Sequence, residues 1–302
     1  LNQFIQAEKI TKDINPIYGS IQKLHSRSTA DGDLIVLCED RVLKILAEKD
    51  ALFNADGNPQ LIATNRVLGQ ATPFSGEFGI SRNPESFASE SYRVYFTDKV
   101  RGAVMRLSKD GLSAISDHGM KDWFRDNLKL STKLIGSYDD RNDEYNITLD
   151  SVTDQVNYPN GQTVTFKEDV KGWVSFKSFT PENAISCANE YYTFNQGTLW
   201  KHYSETEDRN TFYKVFPVDG EGFTPSSVNV IINESPGTIK TFHTLNYEGT
   251  QSKVNTFTNY ADSSGNVYNN EYYNLEPKDG WKVQSIITDQ EEGSINEFIE
   301  KE

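Results

Sequence analysis

Cysteine is nearly absent. Cys38 and Cys187 are the two in the chain, and they fit no CxxC or Cys/His spacing. That excludes a disulfide framework and a zinc ribbon, and both thiols stand in apolar contexts that predict burial. Methionine also occurs only twice, and the hydrophobic fraction of 36% is low for a globular chain. No apolar run approaches the roughly 18 residues of a membrane-spanning helix, and no secretory h-region is present. Dense Lys/Arg runs are missing as well. With 30 basic against 44 acidic residues the net charge is −14, so the surface repels nucleic acid and anionic membrane. Phosphate cradles of the GxGxxG or GxxxxGK[ST] kind do not occur, and neither does a GxSxG elbow.

Aromatics are what the chain has in quantity, with 15 Tyr and 17 Phe. Together with the low Leu and Met content they suit many short strands with one wet face better than a helical core. The clearest stretch is RVYFTDKVRGAVMRLSKDGLSAIS, residues 93–116. It reads strand, tight turn, strand, turn, strand, because Asp110-Gly111 offers positive-φ positions and the flanking β-branched and aromatic residues suit a pleated surface. Comparable hairpins start near Leu34, Lys133 and Tyr191, so the unit recurs every ~40–60 residues, within the period range of propeller blades. The predicted fold is all-β: an irregular β-propeller-like domain of short antiparallel sheets with one or two short helices, the alternative being a β-sandwich.

In order along the chain, residues 1–30 read as an N-terminal connecting segment, with a short amphipathic helix marked by Leu1, Phe4 and Ile5. Residues 31–290 form the β-domain, and 291–302 begin a C-terminal helix behind a Ser294–Glu297 capping box. Residues 34–38 and 41–47 form a hairpin, 60–70 an elongated connection, and 72–84 an ordered loop. Met120, Trp123, Phe124 and Leu128 share one helical face, with Ser116 or Asp117 as N-cap. Residues 133–138 and 144–149 pair across a turn at 139–143, and 163–166 follow Pro159-Asn160-Gly161. Residues 172–179 alternate, with Trp173, Ser175, Lys177 and Phe179 on one face and Val174, Phe176 and Ser178 on the other. Residues 228–232, 239–245, 253–260 and 281–288 are further strands, the last two split by the polar stretch 262–270. The opening Leu1 leads us to expect a piece of a longer polypeptide.

No constellation rises to a site. Asp139, Asp140, Asp143 and Glu144 are the densest acids, but a hairpin turn is where solvated acids accumulate, and this outweighs a glycosidase pair. Asp140, Asn142 and Glu144 have calcium-like spacing, yet an EF-hand needs Gly and an acid where Tyr145 and Ser151 stand. His25, His118, His202 and His243 are scattered with no HxH or HExxH, and read as isolated surface or half-buried residues. The sequons at Asn146-Ile147-Thr148 and Asn233-Glu234-Ser235 are expected by chance in this composition. Trp123, Trp173, Trp200 and Trp281 could form a sugar face, but filling wedges between sheets is the stronger reading. Catalytic, cofactor-binding and metal residues are therefore all predicted as none.

Residues 93–128, RVYFTDKVRGAVMRLSKDGLSAISDHGMKDWFRDNL, resemble a segment of large structural proteins of tailed bacteriophages, especially crAss-like and related short-tailed marine phages. Residues 30–58, 136–149, 172–186, 191–213 and 239–254 belong to the same resemblance, which covers most of the chain. It implies a virion tail component, the nozzle or muzzle below the portal, with a β-propeller-like fold. It further implies a homo-oligomeric ring around the DNA channel, touching portal, ring or adaptor, hub or fibre proteins. Genomic DNA would pass without sequence-specific binding, and no membrane, cofactor or catalysis is implied. A carbohydrate- or receptor-binding tail domain and a glycan-cleaving tail enzyme are the competing functions.

Overall fold

The computed structural model describes residues 11–27, 33–53, 59–152, 161–206, 211–213, 227–231, 235, 237–239, 254–261, 267–273, 286–287 and 292–293. The chain divides into two units, Leu1–Val228 and Asn229–Glu302.

The first unit contains four antiparallel sheets, each a meander of consecutive strands. Sheet A comprises β1 (Ile21–Ser26), β2 (Leu34–Cys38), β3 (Val42–Phe53) and β4 (Pro59–Pro73). Sheet B comprises β5 (Ala88–Ser89), β6 (Val94–Asp98), β7 (Ala103–Ser108) and β8 (Gly111–Ala114). An α-helix, α1 (Lys121–Leu130), the one α-helix among the described residues, then leads to sheet C, which holds β9 (Ser131–Asp139), β10 (Glu144–Val152), β11 (Gln162–Lys167) and β12 (Gly172–Lys177). Sheet D is β13 (Asn183–Cys187), β14 (Glu190–Asn195) and β15 (Thr198–Lys201). Among the described residues no strand crosses from one of these sheets to another, as a Greek-key sandwich requires. Strand β9 lies against β5 on one side and β13 on the other, so the first strands of sheets B, C and D sit side by side.

The packing follows from alternation along the strands. In β6 and β7, Val94, Phe96, Met105 and Leu107 face sheet A and meet Ile35, Leu37 and Val42, with Ile80 from the connecting loop. Tyr95 and Val104 face the other way, toward Tyr138, Tyr145, Ile147 and Val164 of sheet C. Sheet B is therefore buried on both faces, which explains why its two central strands lack a polar side. Phe124 and Leu128 of α1 close the same core, with Trp123 and Trp173 packed at its margin. The outer face of sheet A, with Val36, Cys38, Leu43 and Ile45, is covered by Ile14, Tyr18, Leu68 and Ala71.

Close approach fixes glycine at two seams. A Cβ on Gly136 of β9 would stand 1.9 Å from the Ser86 carbonyl oxygen, and one on Gly79 would stand 2.1 Å from that of Glu39. The Gly79 segment is held there because Ile80 N–H donates to Cys38 O (3.0 Å) and Ser81 N–H to Glu39 O (2.9 Å). Sheet A's central turn is thereby tied to the loop that leads into sheet B.

Several expectations are met. The hairpins at 94–114, 131–152 and 190–201 form with the predicted turns, and Gln196 and Gly197 take the positive φ of a two-residue turn. Others are corrected. Residues 60–70 are not a connection but most of β4, a 15-residue partner for β3 in which four residues between Ala63 and Leu68 stand against one between Ala47 and Lys49. The loop consequently starts at Phe74. Ile21–Ser26 is a strand that no alternation in the sequence announces. The helix is capped at Met120 rather than Ser116 or Asp117, because residues 115–117 are taken up in a 3-10 turn. A bulge between Thr165 and Phe166 pairs Phe166 with Trp173 and Val164 with Phe176. Trp173 and Phe176 therefore both reach the α1 side, against the predicted strict alternation. Cys38 is buried as expected, but Cys187 is exposed, since it ends a strand of sheet D on its solvent face.

In the second unit β16 (Val254–Ala261) pairs with β17 (Val267–Tyr273), and Ile286–Ile287 pairs with Glu292–Gly293. Residues 267–270, read as a polar break, are thus strand, whereas residues 228–231 lie in no strand. The N-terminal helix at 1–5, the turn residues Pro159 and Asn160, the strand over 240–245, His243, Trp281 and the capping box at 294–297 fall outside the described residues.

Candidate functional site

The seams between sheets differ in chemistry. A with B, and B with C, are joined mainly by apolar side chains, but the face that sheet C turns toward sheet D is polar and buried. Ser137, Asn146, Thr148, Thr163 and Thr165 are all at or below 4% exposure there, and Thr193 of β14 is fully buried opposite them. Buried hydroxyls persist only when bonded, and these are. Thr148 bonds Thr163 (2.8 Å), Thr165 donates to Asn146 Oδ1 (2.7 Å), and Ser137 meets the Tyr191 hydroxyl (2.8 Å).

The charged part of the seam lies at the ends of β10 and β12. Lys177 Nζ donates to Glu144 Oε2 at 2.8 Å and to Asn146 Oδ1 at 3.2 Å, with both charged side chains about 15% exposed. The bulge in β12 gives Lys177 its position on this face, beside Phe179. Beyond it sits His202, whose backbone N–H donates to Tyr191 O (2.9 Å) and whose Nε2 meets Thr193 Oγ1 at 2.7 Å. Rings of Phe179, Tyr191, Tyr203, Phe212 and Tyr213 surround the imidazole. Burial, helped by the Lys177 charge, lowers its pKa to about 4, so it is neutral at neutral pH. Tyr213 donates to the same Thr193 (2.8 Å), and burial pushes its phenol up to about 12.

The acid-rich turn resolves into structure. Asp139 is fully buried and accepts from Arg141 N–H, Asn142 Nδ2 and the Tyr203 hydroxyl. Asp98 occupies a similar place in sheet B, accepting from Gly79 N–H, the Ser81 hydroxyl, Arg101 N–H and the Arg101 guanidinium. An aspartate that closes a strand by accepting turn N–H groups is local hairpin chemistry. Asp140 N–H is instead caught by Ser186 Oγ, which also donates to Tyr138 O, and this stitches sheet C to sheet D. Burial, with Asp139 and Asp143 nearby, raises the Asp140 pKa.

A second buried charge joins sheets B and C. Glu168, in the turn after β11, accepts from the Tyr95 hydroxyl (2.7 Å) and from Arg106 (2.7 Å), with Arg93 at 3.8 Å. Desolvation and this carboxylate both push the Tyr95 phenol pKa up.

These contacts satisfy groups rather than activate them. Ser137 bonds a tyrosine and not an imidazole, Glu144 is neutralised by Lys177, and the His202 partner is a threonine. Among the described residues no set of three or more His, Cys, Asp or Glu is placed to hold a metal. His25 lies tilted against Phe87 and His118 is exposed, so among the described residues His25, His118 and His202 do not converge. Trp123, Trp173 and Trp200 are all half-buried rather than displayed as a platform. Sequence reasoning missed Lys177, His202 and Glu168 as bridging residues, because their partners lie on other strands and no local pattern marks them.

A search of curated proteins returns no match. The family model described as Crassvirus muzzle protein matches residues 18–197, more than half of the chain and a span that runs from just before β1 through β14. The chain accordingly belongs to the Crassvirus muzzle protein family, as a bacteriophage structural protein of the virion tail.

Proposed function

We infer that copies of this chain form a ring in the tail, below the portal and around the channel through which the genome leaves. In this reading the chain is a wall component that contacts portal, adaptor, hub or fibre proteins and catalyses nothing. The observation that carries it is the lateral packing of meander sheets whose first strands lie side by side, as in propeller blades. Such packing gives a stiff wall with a defined curvature. The family membership supplies the setting. In the C–D seam Glu144 is paired with Lys177 and His202 with Thr193, contacts that suit a structural role. A net charge of −14 suits a conduit, because DNA is repelled by an acidic wall and does not adhere to it.

Electron microscopy of the purified chain tests the reading. Rings with an open centre are expected, together with no retention of duplex DNA at ~0.15 M salt, where exposed charges act over only about 8 Å. Separate particles the size of one chain, or tight DNA binding, would contradict it.

A further inference from the structure

The C–D seam holds no group open to a substrate, but it sets two of its own groups against each other. Lys44 and Lys201 each meet a carboxylate, and Lys99 and Lys133 each a backbone carbonyl. Lys177 meets a carboxylate and a side-chain amide together, Glu144 Oε2 at 2.8 Å and Asn146 Oδ1 at 3.2 Å. The oxygen is the amide atom that faces the amine, because an ammonium only donates and Thr165 Oγ1 donates to the same oxygen at 2.7 Å. Asn146 is wholly buried. Its Nδ2 has the Tyr191 hydroxyl as a neighbour but no hydrogen bond of ordinary geometry among the described residues. Between β10 and β12, β11 turns only the short side chains of Thr163 and Thr165 to this face, so the lysine reaches Asn146 across it.

An ion pair needs Glu144 alone, and it leaves the amide nitrogen stranded where an unpaired donor is costly. Condensation of the amine with the amide removes the stranded nitrogen and the buried pair of charges in one event. We propose that Lys177 and Asn146 join in an isopeptide bond, made by the folded chain itself with Glu144 as proton carrier. A first proton passes from Nζ to Glu144 Oε2, and the freed amine attacks Asn146 Cγ, whose oxygen Thr165 polarises. The Nζ–Cγ bond forms as the Cγ–Nδ2 bond breaks. Glu144 gives its proton to Nδ2 and takes the second one from Nζ, so that ammonia departs and a neutral carboxyl stays beside the new amide. No oxidant, reductant or co-reactant is needed. Orientation replaces them, since an amine held against an amide carbonyl reacts as part of one molecule. Water is largely kept away, with both charged side chains about 15% exposed and the Phe179 ring 5.9 Å from Nζ.

This is a single event within the chain, without turnover, and it stands apart from the ring reading. The bond would tie β10 to β12 over β11, so that the edge strand of sheet C could not peel away without breaking a covalent bond.

Intact-mass spectrometry of the denatured full chain tests it. The wild-type chain is expected to be lighter than its sequence by one ammonia. A tryptic digest should then contain a branched peptide in which Lys177 is uncleaved and joined to the segment that holds Asn146. Lys177→Arg keeps a cation for Glu144 and Asn146→Ala removes the electrophile, and both are expected at full sequence mass. Glu144→Gln should lose ammonia roughly 100-fold more slowly than wild type. A wild-type chain that keeps its full mass after prolonged warming at neutral pH would overturn the bond, whatever the variants do. Ammonia lost equally by Lys177→Arg would place the loss at another residue and overturn it as well. Glu144→Gln reacting as fast as wild type would overturn the proton carrier.

Discussion

Ser86 and Gly136 illustrate how single residues set the spacing of the sheets. Ser86 accepts through its hydroxyl from Thr97 N–H and through its carbonyl from the Tyr145 hydroxyl, so it bridges sheets B and C. The bare Cα of Gly136 lets β9 run against that carbonyl. Gly136→Ala should lower stability by about 2–4 kcal/mol, read as a shift in the urea midpoint, because the obstructing atom is backbone and cannot turn aside. Thiol chemistry checks a second residue-level assignment. One equivalent of a water-soluble maleimide should react with the native chain, at Cys187, and a second only after denaturation exposes Cys38. His202 sets a pH dependence. Its folded pKa is about 4 against an ordinary 6.5, so between these values the unfolded chain binds more proton. The stabilisation is complete above pH ~6.5 and declines as pH falls toward 4, by an amount on the order of 3 kcal/mol. Urea titrations across that window should show the decline in wild type and a smaller one in His202→Gln.

At the scale of elements, the hairpins were the legible part. Asp110-Gly111, the acid-rich turn at 139–143 and Asn195-Gln196-Gly197 are local chemistry, and local chemistry survives folding. What escaped was set by partners far along the chain. The stretch 60–70 becomes strand because β3 offers it an edge, and β12 shifts its faces through a one-residue bulge that no alternation reveals. The bridge at Glu168 is of the same kind, since its partners Tyr95 and Arg106 lie more than 60 residues away. Removing it is informative. Glu168→Ala should cost about 2–3 kcal/mol in chemical denaturation, because Arg106 and Tyr95 lose their acceptor in a largely buried setting. Arg125→Ala, which breaks the exposed pairs with Asp122 and Asp126 on α1, should leave the denaturation midpoint unchanged. No catalytic site was read in the sequence, and the acids that looked densest became turn caps and inter-sheet ties.

At the scale of the molecule, the sheets differ in how they are joined. Apolar contact between A, B and C is insensitive to salt and pH, whereas the C–D seam depends on hydroxyl networks, the ion pairs Lys177–Glu144 and Arg141–Glu190, and a neutral histidine. Sheet D should therefore be the first to loosen in acid. Hydrogen exchange at pH 4.5 should show amide protection falling in β13–β15 before β6 and β7, and simultaneous loss in all four sheets would contradict this ordering. The central claim is that these sheets build a wall in a tail ring. A reconstruction of the intact virion tail tests it most directly. The account predicts several copies of this chain around the tail axis below the portal, with successive sheets side by side along the ring. Copies absent from the axis, or present singly on fibres or capsid, would contradict it.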